Sequence, residues 1–280
     1  LKGRIEKGKL LTAQQFGTRE VGVQLVFLED VVNFCFWAPK GQEGWSVEHP
    51  QGRRSDGWAG LVACFDRARD EGIPILDASF LQDISEDAVR RIFRGVDDVV
   101  IPLLNERIGF LREAGRVLKE KFGGAFDNVL AKASFDADKL TRLIISSFPS
   151  FADRNVIDGR SISFYKRAQI CTYDLSLLPD ISIANIDHLT VCADYKLPQV
   201  FRALEILTYS PELAQKVDAM TLLPPGGREE TEIRAATIWV GELLAGHLNM
   251  APALIDNAVW FMRNDIPTPY PYHRTLTTCY

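Results

Sequence analysis

Side chains able to act on a small substrate gather in a few stretches of the 280-residue chain. In Cys192-Ala193-Asp194-Tyr195-Lys196-Leu197-Pro198 a carboxylate stands between an apolar run and a helix with Pro in its first turn. That position reads first as a helix cap, where Asp accepts backbone N–H bonds. A carboxylate held there can also orient water or balance a developing positive charge, so cap and catalyst are compatible roles. Phe164-Tyr165-Lys166-Arg167-Ala168-Gln169 sets a Tyr and two cations after a strand candidate. It gives either an ordinary exposed helix start or a place for an anion. Phe34, Phe36 and Trp37 crowd together beside Asn33. Such rings fill a core or stack on a flat heterocycle. Asp256 and Trp260 lie one helical turn apart, either a solvated Asp beside a rim Trp or two walls of a pocket.

Other chemistries find little support. The glycine loops that cradle phosphates, G-x-G-x-x-G and G-x-x-x-x-G-K-[ST], are absent, as are H-E-x-x-H and G-x-S-x-G. Four His are scattered, and five Cys show no C-x-x-C spacing, so neither a metal nor a cofactor is expected. The net charge is −5, and the densest basic cluster (Arg90, Arg91, Arg94) reads as a solvated helix face. A chain that tracks nucleic acid needs a basic stripe, so long polynucleotides are disfavoured as ligands. What remains is an enzyme or binder working with carboxylates, a Lys and aromatics.

The elements that must carry these residues read as helices. Leu104, Ile108, Leu111, Leu118 and Phe122 form a helical stripe that Gly123-Gly124 ends. Trp58 to Phe65, the stretch opened by Ser85, Ile233 to Leu244 and Ile255 to Met262 give similar faces. Arg160 to Phe164 is a short strand candidate after the Asp158-Gly159 turn, and Gly22 to Leu28 fits strand or helix. The spacing predicts a mainly α fold with a few short strands: one domain over residues 1–280, in two lobes meeting near residues 150–165. Tightly alternating βα units are missing, which disfavours a doubly wound sheet. The longest run without Asp, Glu, Lys or Arg, Leu243 to Ile255, is thirteen residues. A membrane span needs about 20 apolar residues, so a soluble, cytoplasmic protein is expected.

Read in order, several fragments resemble one family. They are Asn33-Phe-Cys-Phe-Trp37, Gly57-Trp58, Glu71-Gly-Ile-Pro74, Glu120-Lys-Phe-Gly-Gly124 and Ser147-Phe-Pro-Ser150. Phe164 to Gln169, Ala193 to Val200, Glu232-Ile-Arg234 and the stretch from His273-Arg274 to Tyr280 complete the set. Together they resemble the queuosine salvage proteins, which are queuosine 5'-phosphate N-glycosylases. The resemblance implies a helical domain similar to helix-hairpin-helix DNA glycosylases. It also implies hydrolysis of queuosine 5'-monophosphate at its N-glycosidic bond, releasing queuine for reuse in tRNA. It places the catalytic carboxylate at Asp194. The base pocket falls on Asp256, Trp260 and Cys192, with Phe34 and Trp37 as aromatic walls. Lys166 is the expected phosphate ligand, with Tyr165 and Arg167 at phosphate or sugar. Arg234, Arg274 and His273 are alternatives, though Arg234 fits a buried pair with Glu232 and His273 a docked tail equally well. Where family members often carry a second Asp after the Trp, this chain has Phe261. The L-P-G-[IV]-G hairpin of the DNA enzymes is absent, so DNA binding is not carried over. The expected ligand is a free nucleotide, acted on by a monomer with no polynucleotide or membrane partner. Alternative functions are a non-catalytic queuine or nucleotide binder and a base-excision glycosylase acting on nucleic acid.

Overall fold

The computed structural model describes residues 17–280 except 264, 265 and 268. The chain opens with helix α1 (Arg19–Val31), then a hairpin of β1 (Ser46–Glu48) and β2 (Arg54–Asp56). Next come α2 (Gly57–Asp70), α3 (Ala78–Gln82), α4 (Glu86–Ile92), α5 (Leu104–Phe122), α6 (Asp127–Lys132) and α7 (Ala137–Ser147). A second antiparallel hairpin, β3 (Arg154–Ile157) and β4 (Arg160–Ser163), leads into α8 (Lys166–Ser176). The remaining helices are α9 (Lys196–Ala203), α10 (Pro211–Asp218), α11 (Arg228–Leu248) and α12 (Pro252–Met262).

Local chemistry explains most of these boundaries. The Ser85 hydroxyl accepts from Ala88 N at 3.1 Å to open α4, and Asp136 accepts from Lys139 N at 3.0 Å to open α7. Gly123, at φ 59°, closes α5 in the left-handed region that glycine enters at little steric cost. The Asp158-Gly159 turn joins β3 to β4 with both residues at positive φ, the backbone form that tight hairpins favour. Gly22 to Leu28, ambiguous in sequence, is helical. Its periodicity is hidden because α1 is buried continuously from Gly22 to Val31, and a helix enclosed on all sides is apolar all round.

The main core is built on Phe27, whose ring stacks on Phe126 at 4.0 Å and meets Phe148 at 5.0 Å. A smaller cluster of Val191, Leu197, Val200, Phe201, Ile255 and Val259 fills the junction of α9 and α12. The chain end ties the parts together: Tyr280 O accepts from Cys35 N at 2.9 Å, and Arg274 O accepts from Leu223 N at 2.8 Å. His273 is buried in that seam with Nε2 3.2 Å from the Tyr280 hydroxyl, so it docks the tail. Among the described residues no single helix is long and apolar enough to cross a membrane; α11 and α12 reach that composition only as a pair bent by 108°.

Candidate active site

Asp194 sits half-buried at the entrance to α9, where its Oδ1 accepts from Lys196 N at 2.7 Å and Leu197 N at 3.0 Å. The capping geometry read from sequence is thus present. It fixes the carboxylate through one oxygen, and a carboxylate retains further lone pairs for substrate or water. The preceding strand-like segment is pinned on both sides. Thr190 N donates to Gln169 Oε1 at 2.8 Å, and Ala193 O accepts from Arg234 Nε at 2.9 Å. At Gly241 on α11 a Cβ would stand 2.5 Å from Val191, so a bare backbone lets α11 press against this segment.

Asp256 on α12 reaches the same segment. Its Oδ1 accepts from Cys192 N at 2.7 Å, two residues before Asp194. Burial, and then the charge of Asp194, push the Asp256 carboxyl up to about 7; the Cys192 N–H and Lys166 pull the other way. Cys192 therefore enters the site through its backbone, while its buried thiol is pushed well above the ordinary range. Trp260 is half-buried one turn beyond Asp256, edge-on to Trp58 at 6.3 Å, with the Arg263 guanidinium 3.6 Å from its ring centre.

A second group of carboxyls lies within electrostatic reach of Lys166. This residue opens α8 after Tyr165, which is left-handed at φ 52°, and Lys166 N donates to Asp153 Oδ2 at 3.0 Å. The Lys166 side chain is buried, and its charge acts on Asp30, Asp174 and Asp256. Burial raises Asp30 to about 6 against the opposing Asn33 hydrogen bond and the charges of Lys166 and Arg167. Asp174 stands well above the carboxylate range through burial and then the charge of Asp30. Asp30 is 1% exposed; Oδ1 accepts from Asn33 Nδ2 at 3.0 Å, whereas the buried Oδ2 has no hydrogen-bond partner among the described residues.

Other residues singled out in sequence serve the frame. Arg167 is buried and donates to the carbonyls of Asp30, Val31 and Ser150, so its guanidinium is committed to backbone. Phe34 is fully buried between Arg107 at 4.3 Å and Arg167 at 5.3 Å, and it fills core. Trp37 is 6% exposed, with Arg274 5.5 Å from its ring centre. The Tyr165 hydroxyl accepts from Arg154 Nε on the second hairpin. Arg234 does not pair with Glu232, which bonds Arg228 instead. Arg234 reaches Asp153 through two bonds of 2.8 and 2.7 Å, with Glu230 at 3.5 Å, because its side chain faces the core while Glu232 faces out. Lys166 is buried within electrostatic reach of three carboxyls, each raised by its own burial.

Sequence reasoning overlooked Asp30, Asp153, Asp174, Lys196 and Arg263. Asp30 had a signal, since Glu29-Asp30 interrupts the apolar run of α1. Asp174 follows Lys166 by eight residues, close to two helical turns on α8, so the two share a face.

The family model described as queuosine salvage protein matches residues 13–280. A queuosine 5'-phosphate N-glycosylase/hydrolase of Sphaerobacter thermophilus is 40% identical, over 94% of this chain and 82% of the relative. Proteins of the same name from Bos taurus and Mus musculus are 42% and 37% identical, over 81% and 99% of this chain and 68% and 88% of their own lengths. By this extent of similarity, the chain belongs to the queuosine salvage protein family.

Proposed function

We propose that this protein is a hydrolase that cleaves the N-glycosidic bond of queuosine 5'-monophosphate and releases queuine for salvage. The observation that carries the reading is the Cys192 N–H bond that brings Asp256 onto the backbone segment ending in Asp194, in a chain of this family.

Cleavage of a ribosyl C–N bond builds positive charge on the sugar, as in glycoside hydrolysis. Asp194, held by two backbone donors, presents its carboxylate to that charge and orients the water that adds to C1' as the C–N bond breaks; the proton that the water sheds passes through this carboxylate and ends on the nitrogen of the released base. The departing base is a 7-deazaguanine with carbon in place of N7, so protonation at that position does not assist its departure. The negative charge must be stabilised at the other edges. Asp256 accepts from the guanine-type N1–H and N2–H and so orients the base without easing its charge, and Trp260 closes the pocket beside it, which leaves the stabilisation to a donor at O6. The O6 acceptor adjoins N1, which brings it toward Lys166, whose charge already reaches Asp256. Lys166 then donates to O6 as charge spreads over the base.

The likeness to helix-hairpin-helix DNA glycosylases belongs to the same reading, supported by the mainly helical fold and the Asp at a helix entrance. So does a single domain over residues 1–280, of which 1–16 lie outside the described residues. The two apolar clusters support a reading in two lobes, for which residues 150–165 are the proposed meeting place. A free nucleotide as ligand suits the net charge of −5, and a cytoplasmic monomer suits the five free cysteines.

The test is base release from queuosine 5'-monophosphate, from the nucleoside and from a queuosine-containing oligonucleotide. Queuine should appear fastest from the free monophosphate. Tight binding without release would make the protein a carrier, and preference for the oligonucleotide would make it a base-excision enzyme.

A further inference from the structure

We propose that Tyr280 is a positioning residue for the hydrolysis: its ring braces both the Arg234 guanidinium and the Tyr195 ring, and so holds Asp194 through its two chain neighbours, Ala193 and Tyr195. The inference rests on the reading of Asp194 given above and deepens it.

Both neighbours of Asp194 are held from outside α9. Ala193 O accepts from Arg234 Nε at 2.9 Å, and the Tyr195 ring lies 4.8 Å from that of Tyr272 and 6.4 Å from that of Tyr280. Tyr280 also reaches the first support, for the guanidinium carbon of Arg234 lies over its ring at 4.5 Å and over that of Phe164 at 4.0 Å. These ring contacts supply what the hydrogen bonds leave out. Nε and both terminal nitrogens of Arg234 are engaged, by Ala193 O and by Asp153. Such bonds lie in the plane of the fork and fix it there. Displacement out of that plane is opposed by whatever packs on the flat faces, with a cation–π attraction added where the packing group is a ring. An Arg234 that tilts carries Ala193 O with it, and Asp194 is the next residue. A shift of about 1 Å in a group that faces the reacting atoms costs about a hundredfold in rate.

Tyr280 is itself firmly placed. It is buried, its carbonyl accepts from Cys35 N at 2.9 Å, and its hydroxyl lies 3.2 Å from His273 Nε2. The hydroxyl also acts on Glu230, whose carboxyl is raised by burial and pulled back by the Arg234 charge, then by hydrogen bonds from Tyr280 and Asn155. Burial, and then the charge of Arg234, push His273 down to about 3, so its ring is neutral near pH 7 and sets no second cation against Arg234. Among the described residues Tyr280 makes no hydrogen bond or ring contact with Asp256, Trp260 or Lys166. Asp256 is tied separately, to Cys192 N. Loss of the Tyr280 ring therefore loosens Asp194 and spares the grip on the base.

The test compares Tyr280→Leu, which fills much of the space without a flat face, with Tyr280→Phe, which keeps the ring and drops the hydroxyl. Single-turnover release of queuine from queuosine 5'-monophosphate should fall about ten- to a hundredfold in Tyr280→Leu, with nucleotide affinity changing by less than about threefold. Tyr280→Phe should keep most of the wild-type rate. In an Asp194→Asn background Tyr280→Leu should cost less than about threefold more, because a side chain already stripped of its charge gains little from being held. Tyr195→Leu cuts the second contact and should show the same loss of rate without loss of affinity, which serves where Tyr280→Leu does not fold. The amide resonances of Lys196 and Leu197, the donors to Asp194, read the placement of the carboxylate without turnover. They should shift in Tyr280→Leu and stay near wild type in Tyr280→Phe. A loss that adds fully to that of Asp194→Asn, a loss of affinity equal to the loss of rate, or a full rate in Tyr280→Leu overturns the brace. A wild type that releases no queuine, while those amides still answer to Tyr280→Leu, overturns the hydrolase reading and supports the brace.

Discussion

On the proposed function, a proton and the substrate base compete for the Asp256 carboxyl. Its value of about 7 comes from burial first and the Asp194 charge second. A folded-state value above the ordinary carboxylate range means that the folded protein holds this proton more tightly than the unfolded chain does. The stabilisation from that proton is present at acid pH and is lost as pH rises from the ordinary range through about 7. Asp256→Asn removes the titration while keeping an acceptor for Cys192 N, so its melting temperature should gain on wild type as pH rises. Binding runs with the opposite sign. Only the ionised carboxylate offers acceptors alone to N1–H and N2–H, so queuine affinity should climb with pH up to about 7 and then level. Calorimetric titration across that range checks this, and an affinity that ignores pH, or a slope that persists in Asp256→Asn, contradicts the role. The Asp256–Trp260 pair was legible in sequence because both residues lie on one helix at fixed spacing. Asp30, Asp174 and Asp256 come from three different helices, and no local pattern records that they meet.

At the scale of elements, Asp153 is the joint between the second hairpin, α8 and α11. Its carboxylate takes two bonds from Arg234 and one from Lys166 N, and Arg234 in turn holds Ala193 O beside Asp194. Removing one partner of a buried ion pair strands the other charge. Asp153→Ala should therefore cost about 3–5 kcal/mol of stability. Urea denaturation measures it; an unchanged midpoint would mean that Glu230 and Ala193 O suffice for Arg234. Individual helices were readable where one face meets solvent, as in α5, whose apolar stripe runs from Leu104 to Phe122. The stripe fails in α1, which is enclosed, and it says nothing about pairing. Arg234 was matched to its sequence neighbour Glu232, whereas its partner stands 81 residues away.

At the scale of the whole molecule, the segment Val191 to Asp194 leaves the smaller apolar cluster and is tied by backbone bonds to Asp256 and Arg234. On the proposed function, the net charge of −5 suits a free nucleotide better than a polyanion. Fold class and family were legible because order and spacing of short fragments persist along the chain. The pairing of buried charges was not, because Asp153 and Arg234 meet across 81 residues of chain. The central claim is that the Asp194 carboxylate carries hydrolysis of the nucleotide. Its most direct measurement is the single-turnover rate of queuine release from queuosine 5'-monophosphate by wild type and Asp194→Asn, with nucleotide affinity measured in parallel. Asn keeps an acceptor for Lys196 N and Leu197 N but removes the charge that faces the sugar. The rate should fall about a thousandfold, equivalent to about 4 kcal/mol of transition-state stabilisation, with affinity nearly unchanged. A folded Asp194→Asn protein that releases queuine at close to the wild-type rate would contradict the account.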